Sequence, residues 1–251
     1  MNKQNKQIEG QLTFPFCVDS SNMVVQSNEL ICAKQSLGLN AAKLVRSAIM
    51  QIVSYDSELK PYKISIKELG TLFDCPTSNI YRDIGKITDE ILLNPVFVKQ
   101  ITEKKERWVK IPWVTICEYD SDTGLILQLN PKLKPFLLNL KEHYTQYTLS
   151  EVLSMRSVYA IRIFELINSK IMTKKLPKKG VYVIISIQEL REFCDCEDKY
   201  LEFSNLRMKV IDIAKKEINR VTMYYCDYDY IKKGRQVDAI KFHLSYRYNI
   251  P

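Results

Sequence analysis

Residues 64–75 read ISIKELGTLFDC, and residues 185–196 read ISIQELREFCDC. Seven of the twelve positions are identical. Self-similarity at this distance marks a duplicated unit, provided that the residues after each copy also match. They do. The first copy leads to Ser78-Asn79-Ile80 and an apolar stripe of Ile84, Ile87, Ile91 and Leu92. The second leads to Ser204-Asn205-Leu206 and a stripe of Val210, Ile213, Ala214 and Ile218. Spacings of three and four residues predict a helix with one buried face after each copy.

Local signals sharpen the unit. Ser65-x-x-Glu68 and Ser186-x-x-Glu189 are capping boxes, in which the hydroxyl accepts from the N3 amide and the glutamate reaches back to the cap amide. Each opens a short helix directly after a short strand-like run. Upstream lie two longer amphipathic segments, Ala41 to Val53 and Val158 to Ile171. Downstream, a strand-like run from Val96 reaches Lys104-Lys105-Glu106-Arg107, and a second run spans Trp108 to Tyr119. In the other half, Val221 to Ile231 leads to Lys232-Lys233-Gly234-Arg235, and Val237 to Tyr246 alternates as a strand. The two basic turns are therefore expected at equivalent hairpin tips. Each half reads helix, short strand, short helix, turn, longer helix, hairpin. The fold class is α+β: two tandem winged-helix domains, each a helix-turn-helix plus a β-wing, related by internal duplication.

The joint is also readable. Asn130-Pro131 predicts an N-cap with proline at N1 and a helix of about three turns toward Tyr144, which Pro135 would bend or delay. Thr148-x-x-Glu151 caps the next helix. The expected division is a polar segment over 1–27, whose composition leaves its order open, an N-terminal winged helix over 28–147 and a C-terminal one over 148–251. The segment 1–27 holds one apolar patch, Phe14-Pro15-Phe16. No Gly/Ser-rich linker separates the halves, so they are expected to pack together.

A helix fits the major groove, and a basic hairpin beside it reaches flanking phosphates. The N-terminal part of a recognition helix usually reads bases. In the second half this selects Ser204, Asn205, Arg207 and Lys209, with Lys232, Lys233 and Arg235 on the wing. In the first half the candidates are Ser78, Asn79, Arg82 and Lys86, with Lys104, Lys105 and Arg107 on its hairpin. Asp83 and Asp89 share the first helix, and Glu103 and Glu106 interrupt its basic turn, so the second domain is expected to bind double-stranded DNA more tightly.

Composition narrows the function classes. The 251 residues carry 37 basic and 29 acidic side chains, a net charge of +8, with 46% hydrophobic and 26% charged residues. That is a folded chain with a basic surface. The two histidines, His143 and His243, are a hundred positions apart. This excludes HExxH zinc hydrolases and the paired-histidine metal site of rolling-circle nicking enzymes. No GxGxxG or GxxxxGK[ST] loop occurs among the seven glycines. The seven cysteines are odd in number and lack a CxxC, which fits free thiols in a reducing cytoplasm. The pair Cys194-Asp-Cys196 has no second pair or nearby histidine to complete a metal site. No catalytic residue, metal or cofactor is assigned. No apolar run is long enough to span a membrane. No aromatic signature of an RNA-binding module is present.

Four segments carry a resemblance. They are Leu140-Lys141-x-x-Tyr144-Thr145-x-Tyr147-x-Leu149, Ser157-x-Tyr159-Ala160-x-Arg162-Ile163-Phe164-Glu165-Leu166, Ala214-x-x-Glu217-Ile218-Asn219 and Lys232-Lys233-Gly234-Arg235. Together and in order, the chain resembles the plasmid replication initiators that bind iterons, the RepA/RepE-type family with two winged-helix domains. The resemblance runs from Asn28 to about Tyr246. It implies tight, specific contacts to direct repeats from the C-terminal domain, and weaker contacts plus dimerisation from the N-terminal one. It further implies monomers at the origin, dimers repressing the protein's own gene, and the host initiator and replicative helicase as partners. Where similar members open the second recognition helix with basic residues, this chain has Arg207-Met208-Lys209. Met208 cannot donate to guanine, so a different repeat sequence is expected. A transcription regulator on the same fold is the alternative. It would bind a single or inverted site without origin function.

Overall fold

The computed structural model describes residues 22–74, 76–102, 105–171 and 176–247. Phe14-Pro15-Phe16 and Lys104 lie outside the described residues, as do the side chains of Ser78 and Lys105. The described chain opens with strand β1 (Met23–Ser27) and helix α1 (Asn28–Cys32), so the end of the polar segment is ordered. Helix α2 (Leu39–Met50) follows, then β2 (Pro61–Ile64), α3 (Ile66–Phe73) and α4 (Thr77–Leu93). Strands β3 (Val96–Thr102), β4 (Lys105–Ile111), β5 (Val114–Asp120) and β6 (Gly124–Leu129) complete the first half. A 3-10 turn (Pro131–Leu133) and α5 (Lys134–Leu137) lead to β7 (Tyr144–Thr148), α6 (Leu149–Ser154) and α7 (Val158–Lys170). The second unit is β8 (Val181–Ser186), α8 (Ile187–Phe193), α9 (Phe203–Leu206), a π-turn (Arg207–Ile211), α10 (Asp212–Val221), β9 (Tyr224–Lys233) and β10 (Gln236–Tyr246).

The repeat now has a physical meaning. Ser65 Oγ accepts from the Glu68 amide at 3.3 Å, and Glu68 Oε2 accepts from the Ser65 amide at 2.7 Å, closing the first capping box. In the second copy Ser186 Oγ accepts from the Glu189 amide at 3.0 Å, while the Glu189 carboxylate pairs with Lys170 at 2.7 Å. The shared aspartate ends both short helices. Asp74 and Asp195 adopt left-handed backbone, φ +52° and +50°, a conformation that Asp tolerates better than most residues. The seventh position differs, Gly70 against Arg191. Arg191 donates to the carbonyls of Lys199, Tyr200 and Leu201 at 2.8–2.9 Å and so holds the longer turn of the second unit.

Strand pairing corrects the expected equivalence of the two basic turns. In the second unit the order is β8-β10-β9, so the strand before the helix-turn-helix pairs with the last strand. The same order in the first unit is β2-β6-β5. Its wing is therefore β5–β6, with a tip at Ser121-Asp122-Thr123. The hairpin β3–β4, which carries Lys105 and Arg107, is a separate two-stranded ribbon inserted between α4 and the wing. The run Trp108 to Tyr119 is two strands, broken at Pro112-Trp113. Proline has no amide to give a ladder, and the chain turns there. The helix expected from Asn130 toward Tyr144 is also shorter. Asn130 caps it as expected, accepting from the Lys132 amide at 3.0 Å, but it ends at Leu137, and Tyr144 begins β7. Strand β7 pairs with β1.

The halves share one core. Helix α7 packs against both α1 and α10. At its centre Glu165 is fully buried and receives Arg46 of α2 through Nε at 3.0 Å and Nη2 at 2.9 Å. Arg162 Nη1 donates to the same carboxylate at 3.2 Å, and Tyr147 donates its hydroxyl at 2.5 Å. Arg162 also donates to the Ala33 carbonyl at 2.8 Å and lies 3.8 Å from the Phe193 ring centre. This buried cluster joins α2, β7 and α7 to the end of α8. Cys194, Cys196 and Cys226 are buried free thiols. Burial pushes the Cys226 thiol up to about 12, which leaves it unreactive.

Gly124 begins β6 at φ +106°, where a Cβ would stand 2.3 Å from the Ile64 carbonyl oxygen. Gly124→Ala is expected to lower the first unit's unfolding free energy by more than about 2 kcal/mol. Gly234, at φ +63° with nothing within 4 Å, is expected to tolerate alanine at about 1 kcal/mol. Urea denaturation of the two variants measures the contrast.

Candidate nucleic-acid interface

The second recognition helix runs from Phe203 to Val221 across α9, the π-turn and α10. Leu206, Val210, Ala214 and Ile218 are buried as expected, Ile213 of the expected stripe is only half-buried, and Ile211 is buried in addition. Ser204, Asn205 and Lys209 are exposed at its N-terminal part, and the Arg207 side chain is 43% exposed. The helix and the wing are joined at that end. Phe203 meets Tyr230 of β9 edge-to-face at 5.4 Å, and Tyr228 donates its hydroxyl to Asp212 at 2.5 Å. Lower down, Lys215 pairs with Asp227 at 2.5 Å. Asn219 accepts from the Cys226 amide at 2.6 Å and donates to its carbonyl at 2.8 Å. Lys215 and Asn219 thus bind the wing.

The wing is long. Beyond Ala239, where pairing with β8 ends, β10 continues to Gln236, a further extension of roughly 10 Å. Lys233 and Gln236 close a two-residue loop of Gly234 and Arg235. Glycine supplies the positive φ that such a tight turn requires at its first position. Lys232, Lys233 and Arg235 are all exposed there.

The first unit differs in charge. On α4, Asn79, Arg82 and Lys86 are exposed. Arg82 donates Nε and Nη2 to the adjacent Asp83 at 3.1 Å each, which offsets its charge and holds the Asp83 carboxyl below the usual carboxylate range. The wing tip is acidic, with Glu118, Asp120 and Asp122 exposed. Asp120 Oδ1 accepts from the Asp122 and Thr123 amides at 2.9 and 2.7 Å. Such a tip repels phosphates. Arg107 is exposed on the separate ribbon β3–β4. The opposite face of the ribbon carries Trp108, 58% exposed and stacked on Phe97 at 5.8 Å with Lys110 5.9 Å from its ring centre. Sequence reasoning missed this aromatic face, although the alternation of Trp108 and Lys110 signals it. Among the described residues, no group of three or more His, Cys, Asp or Glu is placed to hold a metal, and no helix is long and apolar enough to cross a membrane.

Two family models account for both units. The model described as Initiator Replication protein, WH1, matches residues 23–168, and that described as Initiator Rep protein, WH2, matches residues 186–244. The chain belongs to the initiator replication protein family. A replication initiation protein of Escherichia coli is 23% identical over 230 residues, covering 90% of this chain and 70% of that protein. A second Escherichia coli relative, described as an uncharacterized 27.6 kDa protein, is 23% identical over 229 residues, covering 86% of this chain and 93% of its own. The crystal structure of Pi initiator protein in complex with iteron DNA shares the fold, with a TM-score of 0.74 and 19% identity, over 91% of this chain and 98% of that one.

Within this initiator Rep chain, the segments that carried the resemblance divide by role. Arg162 and Glu165 are core residues of the buried cluster. Glu217 accepts from the Arg156 amide at 2.8 Å and from Arg220 at 2.6 Å, tying α10 to the start of α7. Asn219 holds β9. Lys232-Lys233-Gly234-Arg235 is exposed along its whole length.

Proposed function

We propose that this protein initiates plasmid replication by binding tandem direct repeats at the origin, without enzymatic chemistry of its own. The observation that carries the reading is the C-terminal unit. Exposed donors at the start of its recognition helix are locked to a long wing with three exposed cations at its tip. Ser204, Asn205, Arg207 and Lys209 are assigned to base edges, and Lys232, Lys233 and Arg235 to phosphates. Asn79, Arg82 and Lys86 of the N-terminal unit are assigned to a weaker contact, because the acidic wing beside them opposes phosphate binding. Lys105 and Arg107 are assigned to flanking phosphates through the separate ribbon. The Pi initiator, whose fold is shared, is seen with iteron DNA, and this supports the same ligand class here. We further propose that binding helps open the neighbouring duplex and recruits the host initiator and replicative helicase in the cytoplasm. A dimeric form represses the protein's own gene.

Nuclease footprinting of the full chain on the plasmid DNA around its gene tests the reading. Evenly spaced protection over tandem repeats is the expected result. Protection of one palindrome alone would replace it with a transcription regulator on the same fold.

A further inference from the structure

The recognition helix departs from α-helical geometry at one place. Over Arg207–Ile211 it widens, and the Asp212 amide donates to the Arg207 carbonyl, five residues back. In an α-helix, residues i and i+5 point in widely different directions. A π-turn stacks i+5 over i, and such turns concentrate at functional sites. Here it brings Asp212 Oδ2 to 3.6 Å from Arg207 Nε. The other carboxylate oxygen accepts the Tyr228 hydroxyl at 2.5 Å. Tyr228 is itself anchored, its ring 6.1 Å from that of the fully buried Phe242. Arg207 is thus drawn toward Asp212 by charge and not by a hydrogen bond, and Tyr230 is the other group beside its guanidinium. Its Nε is buried and makes no hydrogen bond, although the side chain as a whole is 43% exposed. The exposure falls on the rest of the side chain. With Nε turned inward toward Asp212, the exposed edge of the guanidinium is the part able to make the bidentate contact that guanine O6 and N7 demand.

We propose that Asp212 is a positioning residue for base reading: from within the π-turn it holds Arg207 by the Nε side and presents the outer fork to a guanine edge, with Tyr228 orienting the carboxylate. This inference rests on the assignment of Arg207 to base reading. Its consequence separates it from simple scaffolding. A carboxylate beside the DNA weakens attraction to any phosphate backbone. Removing its charge while keeping its shape should therefore lower discrimination between sequences without lowering affinity for DNA in general.

The experiment selects a duplex from a random-sequence pool with the full-length wild-type protein. It then measures binding to that duplex, to each single-base variant and to an unrelated duplex. Asp212→Asn is expected to reduce the preference for the selected duplex over the variant at one G·C pair by about tenfold, with binding to the unrelated duplex unchanged or tighter. Tyr228→Phe should move the same way by less. Arg207→Ala should flatten the same base position, and adding Asp212→Asn to it should flatten it no further. If Asp212→Asn keeps wild-type discrimination while Arg207→Ala loses it, the positioning role is overturned and the base-reading role of Arg207 stands. If Arg207→Ala itself keeps discrimination, the assignment beneath the inference fails. Equal losses on every duplex, with a lowered melting temperature, would make Asp212 a helix–wing brace only and overturn the proposal.

Discussion

Replacing Glu165 by alanine is expected to lower the unfolding free energy by about 3–5 kcal/mol, read as a shift of the urea midpoint at neutral pH. The carboxylate has no exposed surface and faces two guanidinium groups, Arg46 at 2.9 Å and Arg162 at 3.2 Å. Without it, two like charges remain in a medium that solvates them poorly. The pair as such is not the source of stability, because desolvation offsets most of its attraction. A double variant, Arg46→Met with Glu165→Leu, should therefore recover much of the loss. The pH dependence has its origin in the same geometry. Burial alone would raise the Glu165 carboxyl, but Arg46 and then Arg162 outweigh it and hold it down at about 2. Its folded value lies below the unfolded one, near about 4.3. Stability from this group is thus fully present above about pH 5 and is lost as pH falls toward 2. Glu165→Gln should remove that acid-dependent arm. Arg162 also reaches the Ala33 and Phe193 carbonyls, so both units should loosen together.

Much of the fold is legible because its signals are local. Ser65 and Ser186 cap helices with the hydroxyl geometry their spacing predicts, and the stripe Leu206, Val210, Ala214 and Ile218 is buried as its period demands. The failures are non-local. Whether Lys104-Lys105-Glu106-Arg107 tips the wing depends on which strand pairs with β2, and strand pairing leaves little trace in a short run of residues. The coincidence of two lysine-rich turns concealed an inserted ribbon, and Pro112 was the one local clue. The π-turn at Arg207–Ile211 was hidden for a different reason: a one-residue widening leaves the stripe readable on both sides. The buried cluster was hidden because charge in an amphipathic helix ordinarily marks its solvent face. Arg46 pairs with a carboxylate 119 positions away. The helix–wing arrangement around the candidate site was legible in the C-terminal unit, where helix and wing are continuous in sequence; in the N-terminal one the basic turn was assigned to the wing, and strand pairing puts β3–β4 on a separate ribbon.

The wing tip supplies the second large effect. Changing Lys232, Lys233 and Arg235 together to alanine is expected to reduce affinity for the repeat duplex on the order of a hundredfold near 0.2 M salt. The slope of log affinity against log salt should flatten by about 2.7, since each phosphate contact contributes about 0.9. The tip stands clear of the sheet, and its loop conformation rests on Gly234, not on the three cations. The melting temperature should therefore stay near the wild-type value. Phosphate contacts carry no sequence information. The ranking of single-base variants should accordingly survive even as every affinity drops. That pattern is the converse of the one expected for Arg207→Ala, which should flatten the ranking. The N-terminal wing gives the opposite sign. Glu118→Gln with Asp122→Asn removes two exposed negative charges, one beside the tip and one within it, and should tighten binding to DNA of any sequence. If the triple wing variant left the salt slope unchanged, the tip would not lie on the backbone. The cations at the start of the recognition helix would then have to account for the electrostatic share of binding by themselves.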